Sequence, residues 1–209
     1  MKKTFLLIVA GFIAGSVFAQ SLDLPAPQKT GGLPLMDALA RRATARAFDP
    51  ARELSPQQLS SLLWASFGIN RPDGRRTAPS ASNHQEADIY VLLKSGTFIY
   101  NALSNRLDLV STNDERAFAG TQAFVKDAPV TLVFVADLAK MGNGSDDGKL
   151  RTANIDAGYI SQNAYLYCAS EGLATGVRGS VDRAALAPKL NLRTNQIIIV
   201  AQSVGYPKP

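Results

Sequence analysis

Apolar residues recur with a helical period from Asn154 to Glu171, for about five turns. Ile155, Tyr159, Leu166 and Ala169 fall on one face, and Ala157, Ile160, Ala164, Tyr167 and Cys168 fall on nearly the opposite one. A helix apolar on two faces is buried inside a large core or between two subunits. Gly172 stands where a left-handed cap residue closes such a helix. A glycine-broken, strand-like run from Leu173 to Gly179 follows at once. The pattern predicts a central helix that delivers a short backbone segment to a binding site.

The other elements arrange themselves around this one. Pro34 to Arg42 fits a helix with Leu35, Met36 and Leu39 inward. Ser55-Pro56-Gln57-Gln58 is a capping box with proline in the first turn. Its helix carries the stripe Leu59, Leu62, Leu63, Phe67 and ends at Gly68. Trp64 is read as core, with the wall of a ligand site as the alternative. Asp88–Leu93, Thr97–Leu103 and Arg106–Val110 alternate as strands joined by short turns, which predicts an antiparallel meander. Thr112 to Glu115 reads as a second capping box, opening a helix that carries Phe118 and Phe124. Val130 to Ala136 is an unbroken apolar run, expected of a strand covered on both faces. Gly142 to Gly148 reads as a flexible loop, whose Asp146-Asp147 pair lacks calcium-loop spacing. Asp182–Leu190 is a short helix and Gln196–Val204 a last strand. Together these predict an α+β domain, with helices surrounding a central mixed or antiparallel sheet.

The N-terminus changes the picture. Lys2 and Lys3 precede the apolar run Phe5–Ala14, and Val17-Phe18-Ala19 supplies small residues for cleavage. Residues 1–19 are therefore read as a Sec-type signal peptide, 20–32 as a Pro-, Gln- and Gly-rich linker, and 33–209 as one folded domain. The expected location is a bacterial periplasm. No cysteine follows the cleavage site, so no lipid anchor is expected. Net charge is +5 and falls to +3 once Lys2 and Lys3 leave with the leader, too small a surplus to point to nucleic acid or an anionic membrane. The single cysteine, Cys168, excludes an intrachain disulfide and is read as a small core residue.

Two stretches carry candidate chemistry. Arg41-Arg42-Ala43-Thr44-Ala45-Arg46-Ala47-Phe48 places three arginines around a threonine at a helix end. Forked guanidiniums and a hydroxyl suit an anion such as phosphate, although such clusters are more often a solvated face. Gly68 to Gln85 is a long polar loop, and such loops are more often functional than idle. It offers Arg75, Arg76, Ser80, Ser82, Asn83 and Gln85. His84, the one histidine, has no second ligand in spacing with it, so the sequence offers no metal site. No serine lies in a nucleophile-elbow pattern.

Four segments in order carry a family resemblance: the Arg41–Phe48 run, Pro79-Ser80-Ala81-Ser82-Asn83-His84-Gln85, Asp156-x-Gly158 through Gln162-Asn163 to Glu171-Gly172-Leu173, and Val204-Gly205-Tyr206-Pro207. From about Leu33 to Pro209 the chain resembles the FMN-dependent nitroreductase family. The Leu62–Gly68 pattern is similar to the branch that includes thiazoline and oxazoline oxidases. The resemblance implies a homodimer with FMN at the subunit interface and the long helix at the dimer core. It implies that Arg42 and Thr44, good to one residue so that Ala43 is included, hold the FMN phosphate, with Lys208 completing that site. Arg46 would lie beside the flavin's pyrimidine edge, and Ser82 and Asn83 would reach the ring. Arg178 and Gly179 would supply the backbone N–H facing flavin N5. The implied activity is ping-pong transfer from a donor such as NAD(P)H to a nitroaromatic, quinone or similar small acceptor. No catalytic side chain is implied, because flavin carries the electrons. Export conflicts with NADPH supply, so two other readings stand beside this one. They are a flavin- or ligand-binding protein without turnover, and an interaction module that kept the fold and lost flavin.

Overall fold

Strand alternation divides the molecule into layers. On the strand Val130–Asp137, the side chains of Val130, Leu132, Phe134 and Ala136 enter one core and those of Val133 and Val135 enter another. All eight residues are buried, as the unbroken apolar run predicts. The neighbouring strand Ala87–Leu93 divides in the same way, with Ile89 and Val91 on one side and Tyr90 and Leu92 on the other.

The computed structural model describes residues 21–209; the expected signal peptide lies outside the described residues. The elements in chain order are β1 (Leu22–Asp23), α1 (Leu35–Arg41), α2 (Pro56–Phe67), β2 (Ala87–Leu93), β3 (Gly96–Asn101), β4 (Arg106–Ser111), β5 (Val130–Asp137), α3 (Asp146–Glu171), β6 (Ala174–Arg178), α4 (Arg183–Lys189) and β7 (Gln196–Gly205). The sheet runs β1-β4-β3-β2-β5-β7-β6, and every pairing is antiparallel. The first core lies between the sheet and α2 with α3; the second lies under α4. This is the α+β architecture expected. Among the described residues no helix is long and apolar enough to cross a membrane.

Where local signals are self-contained, expectation and structure agree. The Ser55 hydroxyl accepts from Gln58 N–H at 3.2 Å, and Gln58 Oε1 accepts from Ser55 N–H at 3.0 Å, closing the capping box. Gly172 caps α3 at φ 67°, and the thiol of Cys168 is fully buried.

Several expectations need correction. The central helix begins at Asp146, so Gly142–Gly148 is only half a loop: Ser145 caps the helix and Asp146 and Asp147 fill its first turn, where carboxylates meet the positive end of the dipole. The helix is covered by its own chain on one face only. Ala153, Ala157, Ile160, Ala164 and Cys168 are buried, whereas Ile155 and Tyr159 are 58% and 48% exposed. On α1, Leu35, Met36 and Leu39 point outward and only Ala38 is buried. The Thr112–Glu115 segment opens no α-helix; two short 3-10 turns, Arg116–Ala119 and Ala123–Lys126, stand there instead. Residues 20–32 do not behave as a free linker from Ser21 onward. Leu22 and Asp23 pair with β4, Pro25 O accepts from the Ser60 hydroxyl at 2.6 Å, and Gln28 N–H donates to Ser61 Oγ at 3.0 Å. Trp64 is half-buried, and it walls a cavity of about 190 Å³ beside Lys29 and Tyr167.

Candidate functional site

The arginine-rich segment after α1 is held at the sheet's edge. Ala45 N–H donates to Thr175 O on β6 at 2.8 Å. This approach depends on Gly176, because a Cβ there would lie 2.6 Å from Ala45 O. The C-terminal tail closes the corner from the other side. Phe48 bridges Pro207, Asp49 N–H donates to Tyr206 O at 3.0 Å, and Lys208 N–H donates to Ala47 O at 3.4 Å. The structure therefore places the backbone of Lys208 against Ala47, at the end of the Arg42–Arg46 run.

The Thr44 hydroxyl lies 3.0 Å from the phenol of Tyr165 on α3, which also accepts from Val177 N–H at 2.9 Å. With the phenol donating to Thr44, the threonine's own hydrogen is left for a ligand. The Arg42 guanidinium sits 5.4 Å over the Tyr165 ring, close enough for a cation–π contact. Arg46 is exposed, and among the described residues neither Arg42 nor Arg46 has a carboxylate within ion-pair distance. Two guanidiniums without a carboxylate partner and a threonine hydroxyl on the same segment are groups suited to phosphate. The alternate residues of the same segment, Arg41, Ala43 and Ala45, border a cavity of about 180 Å³ with Tyr165, Gly172 and Thr175; Arg42, Thr44 and Arg46 do not line it. That volume is well below the roughly 300–1,000 Å³ of cofactor pockets.

The second group is the Ser80–Asn83 segment. Ser82, Asn83 and Gln85 all adopt left-handed φ, at 51°, 55° and 47°. Non-glycine residues hold such backbone only where the surroundings impose it. Two buried carboxyls impose it here. Ala81 N–H donates to Asp156 Oδ2 at 2.9 Å, and the Ser80 hydroxyl donates to Glu86 Oε2 at 3.0 Å while accepting from Gln85 N–H at 2.9 Å. Glu86 is 1% and Asp156 4% exposed. Burial raises the Glu86 pKa, the bonds from its own backbone and Ser80 work against that, and the charge of Asp156 adds to the rise. Glu86 Oε1 is buried without a hydrogen-bond partner among the described residues, which fits a carboxyl that burial pushes toward its neutral form.

The third group is Arg178 and Gly179, at the end of β6. The Arg178 side chain turns into the protein. Its Nε donates to Ala119 O and its Nη1 to Ser203 Oγ, both at 2.9 Å, and burial lowers its pKa to about 10. It braces β6 against the Arg116–Ala119 turn, so any ligand contact at Arg178 belongs to its backbone. Gly179 is exposed just beyond the strand, its carbonyl accepting from Arg183 at 3.1 Å.

The first two groups do not converge within one chain. Thr44 leans on Tyr165 and Ala81 on Asp156, nine residues apart on α3, or about 14 Å along its axis. Among the described residues no hydrogen bond joins the two groups. Sequence reasoning missed Tyr165, Gly176, Glu86 and Asp156 as supports. Asp156 and Glu86 stood next to or within the quoted motifs, but their pairing across 70 positions had no local signal.

An antiparallel sheet with helices covering both faces defines an α+β domain of the nitroreductase type. The Nitroreductase family model matches residues 39–206, and the chain belongs to that family, a family of oxidoreductases. A candidate nitroreductase of Methanocaldococcus jannaschii is 28% identical over 151 residues, covering 68% of this chain and 76% of the relative. The crystal structure of a candidate nitroreductase from Ralstonia eutropha JMP134 superposes with a TM-score of 0.86 at 39% identity, covering 90% of each chain. The NADPH:FMN oxidoreductase of Vibrio harveyi, complexed with NAD+, shares the fold at 21% identity and a TM-score of 0.64, over 84% of this chain and 69% of that one.

Proposed function

We propose that this protein is an exported, FMN-dependent oxidoreductase that works as a homodimer and reduces a nitroaromatic, a quinone or a similar small acceptor. The observation that carries the proposal is the Arg42–Arg46 corner. Arg42 and Arg46 without carboxylate partners and a Thr44 hydroxyl bonded to Tyr165 stand on one segment whose backbone is fixed to β6 and to the C-terminal tail, next to a cavity too small for a flavin. A second copy, laid on the exposed Ile155 and Tyr159 face of α3 and the outward Leu35, Met36 and Leu39 of α1, would enlarge that half-site. It would also bring a second Ser80–Asn83 segment to it, joining the two groups that one chain keeps apart.

FMN, when bound, supplies reversible two-electron acceptance from a donor such as NAD(P)H and delivery to the acceptor, in ping-pong order. This chain's residues bind and orient. Arg42, Thr44 and Lys208 hold the phosphate, and Arg46 places positive charge at the pyrimidine edge, where negative charge develops on reduction. Ser82 and Asn83 would fix the ring, and the backbone at the Arg178–Gly179 end of β6 would meet it. The Lys2-Lys3 start, apolar run and Ala19 cleavage site support a mature periplasmic form beginning at Gln20.

The test is anaerobic titration of purified mature protein with NADH and NADPH, followed by nitrofurazone or menadione. Bleaching of bound flavin and its reoxidation by the acceptor is the expected result. Bound flavin that neither nucleotide nor dithionite-driven cycling can couple to an acceptor would leave a binding protein without turnover. Protein that binds no FMN would overturn the proposal.

A further inference from the structure

The Asn70–Arg76 loop, outside the flavin contacts discussed so far, forms a positively charged wall. Ile69 bridges Arg76, Asn70 N–H donates to Arg75 O at 3.1 Å, and Gly74, at φ 79°, donates to Arg71 O at 3.1 Å. The result is a tight hairpin-like loop that carries three arginines in six positions. With Ser80, Ser82 and Asn83 opposite, these arginines border a cavity of about 410 Å³, within the range of small-molecule sites.

The guanidiniums are positioned by neutral groups. Arg76 Nε donates to Gln85 Oε1 at 2.7 Å and its Nη1 to Phe67 O at 3.1 Å, with the guanidinium 5.0 Å over the Phe67 ring. Arg71 donates to Asn70 Oδ1 at 3.1 Å and to Arg76 O at 3.3 Å. Arg75 alone meets a carboxylate, Asp73, at 3.6 Å, and both side chains are more than half exposed. The wall therefore keeps a surplus of two positive charges beside a cavity, fixed against its own repulsion by backbone and amide acceptors. Asn83 Oδ1 accepts from Gln85 Nε2 at 3.0 Å, which leaves the Asn83 amide donors free toward the same space.

We propose that this cavity is an anion subsite that selects a carboxylate- or phosphate-bearing redox partner for the flavin site. The proposal rests on the flavin reading above, since Ser82 and Asn83 form the wall shared between ring and cavity. An anionic group seated on Arg71 and Arg75 would hold the rest of the molecule against that wall. Forked guanidiniums match planar, two-oxygen anions, and neutral analogues lack the group they grip.

The experiment compares the flavin-loaded protein with an Arg71→Gln/Arg75→Gln variant, leaving Arg76 in place because it braces the loop. KM is measured for 4-nitrobenzoate and for neutral 4-nitrobenzamide, and for NADPH and NADH. If the anion belongs to the acceptor, the variant's KM for 4-nitrobenzoate rises roughly tenfold or more, while that for 4-nitrobenzamide and the flavin content stay unchanged. If it belongs to the donor, the NADPH value rises alone, and the proposal stands with that source. Equal changes for charged and neutral substrates, or none, overturn it. Loss of flavin from the variant also overturns it, because the arginines would then hold the cofactor. Calorimetric titration of both proteins with 4-nitrobenzoate and with pyrophosphate reads the subsite without turnover. Heat that disappears in the variant supports the subsite even if no flavin is bound, and absence of heat in the wild type sinks it.

Discussion

Arg46 is the residue on which the flavin reading depends most. It is exposed and unpaired at an edge where the chain's own backbone is tightly clamped, so its charge is available to a ligand. Replacing it with alanine removes one charge-assisted hydrogen bond, on the order of 1.5–3 kcal/mol, and should weaken FMN binding roughly ten- to a hundredfold and make the bound flavin's potential more negative. Arg46→Lys should be milder, since a point charge replaces a planar fork. Unchanged dissociation constant and potential in Arg46→Ala would end that assignment. The run of arginines around Thr44 was legible in the sequence because it is local. The phenol of Tyr165 was not, since it reaches Thr44 across 121 positions. Cys168 is the opposite kind of residue. Burial pushes its thiol up to about 12, so the native protein should resist alkylation by iodoacetamide at pH 8, and labelling within minutes would contradict its place in the core.

At the scale of elements, supports decide where the site stands. Gly176 lets the 42–47 segment lie on β6. A methyl group there meets Ala45 O, so Gly176→Ala should displace that segment, with a destabilisation of about 1–3 kcal/mol and weaker FMN binding. Wild-type affinity in that variant would show the approach to be unimportant. The Ser80–Asn83 segment is held by Glu86 and Asp156, and this makes its anchoring pH-dependent. Folding favours the neutral Glu86 acid. Its contribution is full below the ordinary value of 4.5 and is lost as pH climbs through the raised value. Glu86→Gln keeps the shape without the titration, so urea unfolding across a pH series should give it a flatter loss of stability on the alkaline side. Parallel profiles would refute a raised Glu86 pKa as the source of that dependence. The same contrast explains which elements could be read in advance. Ser55 and Gln58 cap each other with no outside help. Glu115 looked equally able to cap Thr112, but its carboxylate is buried against Lys189 at 3.0 Å, and Asp114 pairs with Arg116, so that helix never starts. The two buried carboxyls beneath the loop belong to distant segments, and only packing unites them.

For the whole molecule, the central helix is the element whose meaning changed most between sequence and structure. Its two apolar faces were legible from periodicity. One chain covers only one of them, and periodicity alone does not say whether a neighbouring helix or a second subunit covers the other. The outward Leu35, Met36 and Leu39 were read as inward for the same reason, since an amphipathic pattern fixes a face and not its partner. The proposed dimer with the cofactor between its subunits would account together for exposed Ile155 and Tyr159, for two residue groups about 14 Å apart along one helix, and for an edge cavity too small for a flavin. The direct measurement is sedimentation velocity of FMN-reconstituted residues 20–209, recorded at the flavin's visible absorption band and at the protein band. One boundary at the mass of a dimer, carrying one flavin per chain in both traces, is the result predicted. A monomer that holds its full complement of flavin, or a dimer that sediments without any, would contradict the account.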